Sequence, residues 1–470
     1  MSLNSYSIPN KLQQRITAEQ AFHYRIVPVA NSDNGMVLKT DTEALENLLA
    51  ELQIVLNTPV ILQQCNKEEL QKYLSTNYRQ QLAATGKKLE YTSDFLEKIL
   101  FQAKQIGSSD IHFESYEKRC RVRFRIDGKL MEQFSVPMDE YPTIINKIKI
   151  KANLDIAEKR LPQDGRISIK TSNTEFDIRV SSLPTLYGEK LVLRLLSKDT
   201  EALDLQSLGF TKTELKRFEE NIKKPNGIVL ISGPTGSGKT TTLYASLKHL
   251  NDDRTNILTV EDPIEYTLEG VNQVQLQENI GLDFANTLKT FLRQDPDIIM
   301  LGEIRDVATA NMAIRAALTG HLVLSTIHTN SAWATISRLI DMGIPSFLIA
   351  STLNMSVAQR LVRKLCNDCK REIPLDTSLF PENFTIPEYL NTNFKPIGCN
   401  TCHHTGYHGR KAIYEILPIT QDLLVPIKEN HLGIEDYLDE KEIGSLKENA
   451  IQLIQSGVTS VEEVHSLLID

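Results

Sequence analysis

A glycine-rich run that ends in lysine and threonine is the part of this sequence best suited to chemistry. It reads Gly233-Pro234-Thr235-Gly236-Ser237-Gly238-Lys239-Thr240 and matches G-x-x-x-x-G-K-[ST] in full. Glycines at these positions let backbone N–H groups turn inward around phosphates, and the lysine adds a positive charge. The Thr240 hydroxyl is a ligand suited to Mg²⁺. The run therefore predicts a nucleotide-phosphate site that extends from Gly233 to Thr241.

The elements predicted on either side of this loop are those that a phosphate site requires. Ile228–Ser232 is a short apolar run typical of a buried strand, and Thr241–Leu250 has a helical pattern. A helix that begins directly after the loop adds its dipole and its free N–H groups to the anion site. Apolar runs at Ile257–Val260, Ile298–Leu301 and Leu322–Thr326 alternate with helical patterns, which predicts a parallel sheet buried on both faces.

A catalytic acid is expected at the carboxyl end of a strand, where ligands bind in open α/β sheets. Glu303 and Glu261 both follow predicted strands. The acidic strand of such ATP sites ordinarily ends in aspartate, but Gly302 stands there in this sequence. Asp297 cannot replace it, because it begins the same strand, about 20 Å away. Glu303 is therefore predicted to hold Mg²⁺ through water and to polarise the attacking water, with Glu261 as a second acid.

Two histidines bracket the predicted strand Leu322–Thr326. His328 follows the strand at its carboxyl end, level with the candidate acids, so we expect it to act at the phosphates. His321 precedes the strand and is a candidate for which structural and catalytic roles are equally open.

Four of the six cysteines form two C-x-x-C pairs. They are Cys366, Cys369, Cys399 and Cys402. Two such pairs typically close one tetrahedral thiolate site, and four soft ligands favour Zn²⁺. A redox C-x-x-C would need only one pair. No open position remains in a four-thiolate shell, so the predicted site is structural, with His403 and His404 as alternatives for one ligand position.

Composition and charge exclude several classes of function. The 470 residues include 52 basic and 60 acidic side chains, a net charge of −8, which argues against direct binding of nucleic acid through many phosphate contacts. Six cysteines are too few for a secreted disulfide framework. No apolar run approaches the 18 or so residues of a membrane helix, and the first residues lack the apolar core of a signal peptide. We therefore expect a cytoplasmic protein.

The pattern along the chain predicts an α/β protein with several domains. The predicted segments are an interaction domain at 1–80, a linker at 81–90, a second α/β domain at 91–200, and the nucleotide domain at 201–470 with the cysteine insertion at 366–402. Most of the second domain is expected to be an antiparallel meander, with a polar loop at Leu161–Arg166.

Four motifs of this sequence resemble those of a known family. Leu292–Asp306, which reads LRQDPDIIMLGEIRD, resembles the signature of the type II secretion and type IV pilus-assembly ATPases. Thr259–Glu265 resembles the aspartate box of that family, and Thr319–Asn330 resembles its histidine box. The cysteine insertion resembles that of its secretion and extension motors. The resemblance runs from about residue 20 to the end of the chain.

This resemblance implies a RecA-like ATPase domain, a PAS-like second domain and a homohexamer that hydrolyses ATP. It implies that Glu303 is the catalytic glutamate, that Glu261 is an essential acid and that His328 senses the γ-phosphate. It also implies that Arg179 and Arg194 of the second domain are arginine fingers directed at the nucleotide.

The function that the resemblance implies first is a motor for pseudopilin assembly in type II secretion, on the cytoplasmic face of the inner membrane. A membrane adaptor and a platform protein would be its partners and would provide its contact with the membrane. A type IV pilus extension motor is the alternative, and a DNA-transfer or uptake motor is a more distant one. A nucleotide-binding regulator without turnover is a further alternative, against which the presence of both Glu261 and Glu303 argues.

Overall fold

The computed structural model describes residues 8, 12, 15–32, 35–42, 45–56, 58–78, 87–89, 92, 94–170, 175–196, 203–431 and 433–469. The chain divides into two compact units, one of residues 1–196, 365–373 and 394–408, the other of residues 197–364, 374–393 and 409–470. Within the described residues we find no helix with the length and apolar character that crossing a bilayer requires.

The first unit begins with a small α/β module. Its strands are β1 (Ile26–Ser32), β2 (Gly35–Thr40) and β3 (Val60–Gln64), and its helices are α1 (Ala18–His23), α2 (Leu45–Leu56) and α3 (Lys67–Asn77). Strand β2 lies between the other two, antiparallel to β1 and parallel to β3. Most of the predicted linker at 81–90 lies outside the described residues. Lys87 and Lys88, within that range, form a short strand of the next sheet.

A seven-stranded, mostly antiparallel sheet follows in the same unit. Its strands are β4 (Lys87–Lys88), β5 (Ser108–Ser115), β6 (Cys120–Ile126), β7 (Lys129–Val136), β8 (Gln163–Lys170), β9 (Glu175–Thr185) and β10 (Gly188–Leu196), in the order β4-β7-β6-β5-β10-β9-β8. Helices α4 (Phe95–Gln105) and α5 (Tyr141–Lys151) contribute to its apolar core. Asp127 and Gly128 both have positive φ, as their hairpin turn between β6 and β7 requires.

The prediction of a loop at Leu161–Arg166 holds for Leu161 and Pro162 but is wrong for Gln163–Arg166. Gln163–Arg166 is the first half of β8 and pairs with Arg179–Ser182 of β9. The residues are polar because β8 is an edge strand with one face exposed, where apolar side chains are not needed. Gly165 suggested a turn, but it is required for another reason, since a side chain there would collide with the backbone of Ala152.

The face of this sheet opposite its apolar core carries a buried charge cluster around Glu114. Arg123 binds the Glu114 carboxylate with two hydrogen bonds of 2.7 Å, Arg121 binds it at 3.0 Å and Lys190 lies at 3.2 Å. Glu114 itself is 3% exposed. Burial alone would raise the pKa of Glu114, but the hydrogen bonds and charges of Arg123 and Lys190 lower it to about 2.

This cluster predicts sensitivity to acid. Because the pKa of Glu114 is lower in the folded than in the unfolded chain, its contribution is complete above about pH 4.5 and is lost as the pH falls toward 2. The shift corresponds to about 3 kcal/mol of unfolding free energy. We expect Glu114→Gln to lower the stability of the first unit at pH 7 and to flatten its decline in acid, measured by urea unfolding between pH 7 and 2. Glu117→Gln, at an exposed position on the following turn, is the control and should behave as wild type.

The second unit is built on a central sheet. Its strands are β11 (Gly227–Ser232), β12 (Ile257–Glu261), β13 (Val271–Gln275), β14 (Ile298–Leu301), β15 (Leu322–Ile327), β16 (Leu353–Leu365) and β19 (Tyr407–Pro418), in the order β13-β12-β14-β15-β11-β16-β19. Every neighbouring pair from β13 to β16 is parallel. Ile228 and Leu230 pack into one apolar cluster, and Val229 and Ile231 into another, so both faces of β11 are buried as the apolar runs predict.

Helices cover this sheet and complete the chain. They are α6 (Lys212–Ile222), α7 (Lys239–Leu250), α8 (Phe284–Phe291), α9 (Val307–Leu318), α10 (Ala332–Asp341), α11 (Ser346–Thr352), α12 (Leu424–Lys428), α13 (Glu435–Glu440), α14 (Leu446–Gln455) and α15 (Val461–Val464). Strands β17 (Arg371–Pro374) and β18 (Thr392–Lys395) form a separate two-stranded sheet.

A buried carboxylate joins two of these helices. Glu415 of β19, 5% exposed, accepts hydrogen bonds from the backbone N–H groups of Ala332 at 2.7 Å and Leu446 at 3.3 Å. These are the first residues of α10 and α14, whose amino ends favour a negative charge. Burial raises the pKa of Glu415, and the two N–H donors oppose that effect.

Candidate functional site

The register of the central sheet brings three predicted site elements to one edge. Ser232 at the end of β11 pairs with Ile327 at the end of β15, and Leu301 at the end of β14 pairs with Ser325. The phosphate loop follows β11, Glu303 follows β14 and His328 follows β15. The structure therefore places the loop, Glu303 and His328 side by side, at the carboxyl ends of adjacent parallel strands.

The phosphate loop has the backbone that its glycines permit. Gly233, Gly236 and Gly238 have φ values of 147°, 81° and 88°. A side chain at Gly233 would approach the carbonyl oxygen of Gln359 to 2.5 Å and the hydroxyl of Ser237 to 2.6 Å. Gly233 is therefore constrained in two independent ways. Its positive φ disfavours any other residue, and its close neighbours leave no room for a side chain.

Lys239 extends back across the loop from the first turn of α7. Its ammonium donates hydrogen bonds to the carbonyl oxygens of Gly233 at 2.7 Å and Pro234 at 3.1 Å. Burial lowers the pKa of Lys239, and the negative charge of Glu303 acts in the opposite direction. Glu303 is therefore close enough to Lys239 for their charges to interact, as two groups serving one phosphate chain would be.

The side chain of Glu303 is 16% exposed and lies between Arg305 and His328. One carboxylate oxygen is 3.3 Å from His328 Nε2, and the other forms an ion pair with Arg305. The contact between Glu303 and His328 is the geometry that the strand ends predict. Arg305 was not predicted as a site residue, although its spacing of two from Glu303 places it on the same turn after β14.

Glu261 has a different environment from Glu303. It is 3% exposed and accepts hydrogen bonds from Thr259 Oγ1 at 2.7 Å, from Gln273 Nε2 at 3.1 Å and from the hydroxyl of Tyr244. Tyr244 lies on α7, the helix that begins with Lys239, and burial raises its pKa. Glu261 thus ties α7 to the sheet, and no sequence pattern indicated its partners Tyr244 and Gln273.

His321 lies at the opposite end of the strands, before the amino end of β15. Its carbonyl oxygen accepts a hydrogen bond from Gly227 N–H at the start of β11, and its Nδ1 lies 2.9 Å from the carbonyl oxygen of Ala316. The length of β15, about 20 Å, separates His321 from His328. The structure does not bring His321 together with the phosphate loop, and its contacts are those of a residue that closes the turn between α9 and β15.

Arg179 and Arg194 are direct cross-strand neighbours on β9 and β10. Arg194 Nε donates to Asp110 Oδ1 at 3.0 Å, and Arg125 Nε lies 3.3 Å from the other oxygen of Asp110. Burial acts to raise the pKa of Asp110, but hydrogen bonds and charge from Arg194 give a net lowering. Adjacent guanidinium groups repel one another, so this sheet concentrates positive charge at the two predicted arginines.

The four predicted cysteines form one cluster. Their sulfur atoms all lie within 4.8 Å of one another, and His403 and His404 are not members of the group. Cys366 and Cys399, Cys369 and Cys402, and Cys399 and Cys402 are each 3.8 Å apart. A tetrahedron with metal–sulfur bonds of about 2.3 Å has edges of about 3.8 Å. The donor set and spacing therefore fit one tetrahedral metal ion.

Backbone N–H groups point at these sulfur atoms. Gly398 donates to Cys369 Sγ at 3.2 Å, and Cys399 and Gly406 donate to Cys402 Sγ at 3.1 and 3.3 Å. A hydrogen bond with the backbone of Cys402 is the main cause that lowers the pKa of Cys399 to about 7. Burial raises the pKa of Cys366. The cluster can hold a metal through its thiolates, since N–H donors stabilise sulfur in its negative form.

Comparison with known proteins gives a consistent result. A family model described as "Type II/IV secretion system protein" matches residues 86–466. The type IV pilus assembly ATPase PilB of Acinetobacter baylyi is 45% identical over 380 residues, covering 79% of this chain and 65% of that protein. The type II secretion system protein E of Pseudomonas aeruginosa is 46% identical over 396 residues, covering 82% of this chain and 79% of that protein.

A solved structure is also similar. The crystal structure of the pilus retraction motor PilT with bound ADP is 25% identical, with a TM-score of 0.54, and the match covers 79% of this chain and 96% of that one. This likeness, together with the parallel sheet and the cysteine cluster, confirms the predicted fold class, an α/β chain with a RecA-like domain and a metal-binding insertion.

Proposed function

The chain belongs to the type II/IV secretion system protein family, and from that premise we propose that it is an ATPase motor that drives pseudopilin assembly for type II secretion. The observation that carries the proposal is the common edge of the phosphate loop, Glu303 and His328. These groups stand where phosphates, an attacking water and the developing charge would meet. The chain spans about 65% of the length of the PilB relative from Acinetobacter baylyi.

Each residue of the phosphate site has a role in this proposal. Gly233 to Thr241 hold the phosphates through backbone N–H groups, with Lys239 at the β- and γ-phosphates. Bound Mg²⁺ would neutralise phosphate charge, and Thr240, with Glu303 through water, would hold it. Glu303 orients and polarises the attacking water, and His328, in contact with Glu303, senses the γ-phosphate. Glu261 acts at the site by fixing α7 and its first residue, Lys239.

The second domain completes the site in our proposal. Arg179 and Arg194 would reach the phosphates as arginine fingers, after Arg194 leaves Asp110. We propose the boundaries 1–80, 81–90, 91–200 and 201–470 for the interaction domain, linker, arginine-bearing domain and ATPase domain. Arginine fingers supplied between subunits fit a homohexamer.

The proposed metal of the cysteine cluster is Zn²⁺. Four soft thiolates at tetrahedral spacing favour it over harder divalent ions. With no open coordination position, the ion would hold residues 366–402 together and would take no part in ATP hydrolysis.

The membrane partners are proposed by analogy with the relatives. A membrane adaptor and a platform protein would hold the motor on the cytoplasmic face of the inner membrane. A type IV pilus extension motor is the second candidate function, favoured by the 45% identity to PilB.

The proposal is tested by ATP hydrolysis. We expect slow, Mg²⁺-dependent phosphate release by the full chain, and no nucleotide binding by Lys239→Ala, because the ammonium is the charge that the loop places at the phosphates. Release that is absent in wild type, or equal in Lys239→Ala, would contradict an ATPase function. Lys248→Ala, at the exposed end of α7, is a matched control that should keep wild-type turnover.

A further inference from the structure

Strand β16 lies against the phosphate loop. It runs parallel to β11, with Ala358 opposite Ser232, so the two residues after Ala358 stand beside the start of the loop. The carbonyl oxygen of Gln359 and Nη1 of Arg360 are 2.5 and 3.2 Å from the position that a Cβ atom on Gly233 would occupy. A cation therefore sits against the first residue of the phosphate loop.

The Arg360 guanidinium bridges two segments of the site. Nη1 donates to the carbonyl oxygen of Gln359 at 3.0 Å, and Nη2 donates to the carbonyl oxygen of Asn330 at 2.9 Å. Asn330 is two residues after His328, in the loop between β15 and α10. One side chain thus joins the backbone beside the phosphate loop to the loop that carries His328.

The charge of Arg360 also reaches Lys239. Burial is the main cause that lowers the pKa of Lys239, and the positive charge of Arg360 lowers it further. Two neighbouring cations that disfavour each other's charge are stabilised by an anion between or above them. Glu303 is already engaged by Arg305 and His328.

Arg360 also has a purely structural neighbour in Glu415. The charge of Arg360 also acts on the buried carboxylate of Glu415. On that account Arg360 compensates a buried acid and has no part in binding. Glu415, however, also accepts hydrogen bonds from two helix amino ends, so its carboxylate does not depend on Arg360 alone.

We propose that Arg360 is a further cation of the nucleotide-phosphate site and that it positions the loop of His328 against the phosphate loop. The inference rests on the proposed function, because it assumes that a nucleotide binds at Gly233–Thr241. It adds a residue supplied by the ATPase unit itself, separate from Arg179 and Arg194 of the first unit.

The test is equilibrium binding of a fluorescent ADP derivative with Mg²⁺ to the full chain. We expect Arg360→Gln to weaken binding about tenfold, which is the loss of one charge-assisted hydrogen bond, and Arg360→Lys to stay within about threefold of wild type. The matched control is Arg217→Gln, because Arg217 also bridges two backbone carbonyl oxygens, those of Lys441 and Glu442, in the same unit. It should bind as wild type does.

Amide exchange at residues 329–331 tests the positioning role. Both Arg360 variants should exchange faster there than wild type and Arg217→Gln, because lysine cannot span both carbonyl oxygens. Equal exchange in all four proteins would overturn the positioning role. Arg360→Gln binding within twofold of wild type, or Arg360→Lys binding as weakly as Arg360→Gln, would overturn the role of the charge. Wild type that binds no nucleotide would instead overturn the proposed function, and this inference with it.

Discussion

Replacing Glu303 with glutamine is expected to reduce ATP turnover about a hundredfold or more while nucleotide binding stays near that of wild type. Glutamine keeps the shape and volume of the side chain but removes the charge that we propose polarises the attacking water. The contact of Glu303 with His328, at 3.3 Å, places that charge at the reacting edge of the sheet. Phosphate release at saturating ATP and Mg²⁺, with ADP affinity measured on the same preparation, separates chemistry from binding.

The matched control for Glu303→Gln is Glu269→Gln. Glu269 is an exposed acid of the same unit. Within the described residues its backbone oxygen accepts a hydrogen bond from Asn251, and its carboxylate has no hydrogen-bond partner. It should retain normal turnover. Near-normal turnover in Glu303→Gln, with intact ADP binding, would assign the catalytic acid elsewhere.

The second large effect is expected from Cys366→Ser. We expect wild type to carry one zinc ion per chain and the variant to lose it, because three thiolates spaced for a tetrahedron bind far more weakly than four. Residues 366–402 should then become more sensitive to protease, while ADP still binds at the phosphate loop. Elemental analysis of the purified proteins and limited proteolysis measure the two effects.

Cys65→Ser provides the control for this metal experiment. Cys65 is half-buried in the small α/β module and lies outside the four-sulfur cluster. The variant should keep its zinc. Wild type that contains no zinc and has four reactive thiols at these positions would refute the metal site.

The arrangement of the candidate phosphate site was predictable where its residues follow the ends of strongly apolar strands. The runs before Gly233, Glu303 and His328 are short and wholly buried, so their ends could be placed and their common edge inferred. The cysteine cluster could also be predicted from the sequence, because the spacing of the two C-x-x-C pairs is itself typical of a metal site.

Other parts of the site carry no such signal. Strand β13 is a polar edge strand, and β16 mixes apolar residues with Gln359, Arg360 and Arg363, so neither showed a strand pattern. Arg360 was not predicted because β16 was not. Its place beside the phosphate loop depends on the pairing of β16 with β11, two segments more than 120 residues apart. Glu261 was predicted from its place after the apolar run Ile257–Val260 and is the last residue of β12. Its contacts with Tyr244 and Gln273 depend on how α7 packs, which spacing alone does not reveal.

Glu415 has a mechanical consequence. One carboxylate holds the first residues of both α10 and α14, and α10 begins only four residues after His328. If one helix moved relative to the other, a buried carboxylate oxygen would lose its hydrogen-bond donor. We therefore expect α10 and α14 to move together. In the proposed motor, a displacement of the His328 loop would therefore be passed through α10 and this carboxylate to α14.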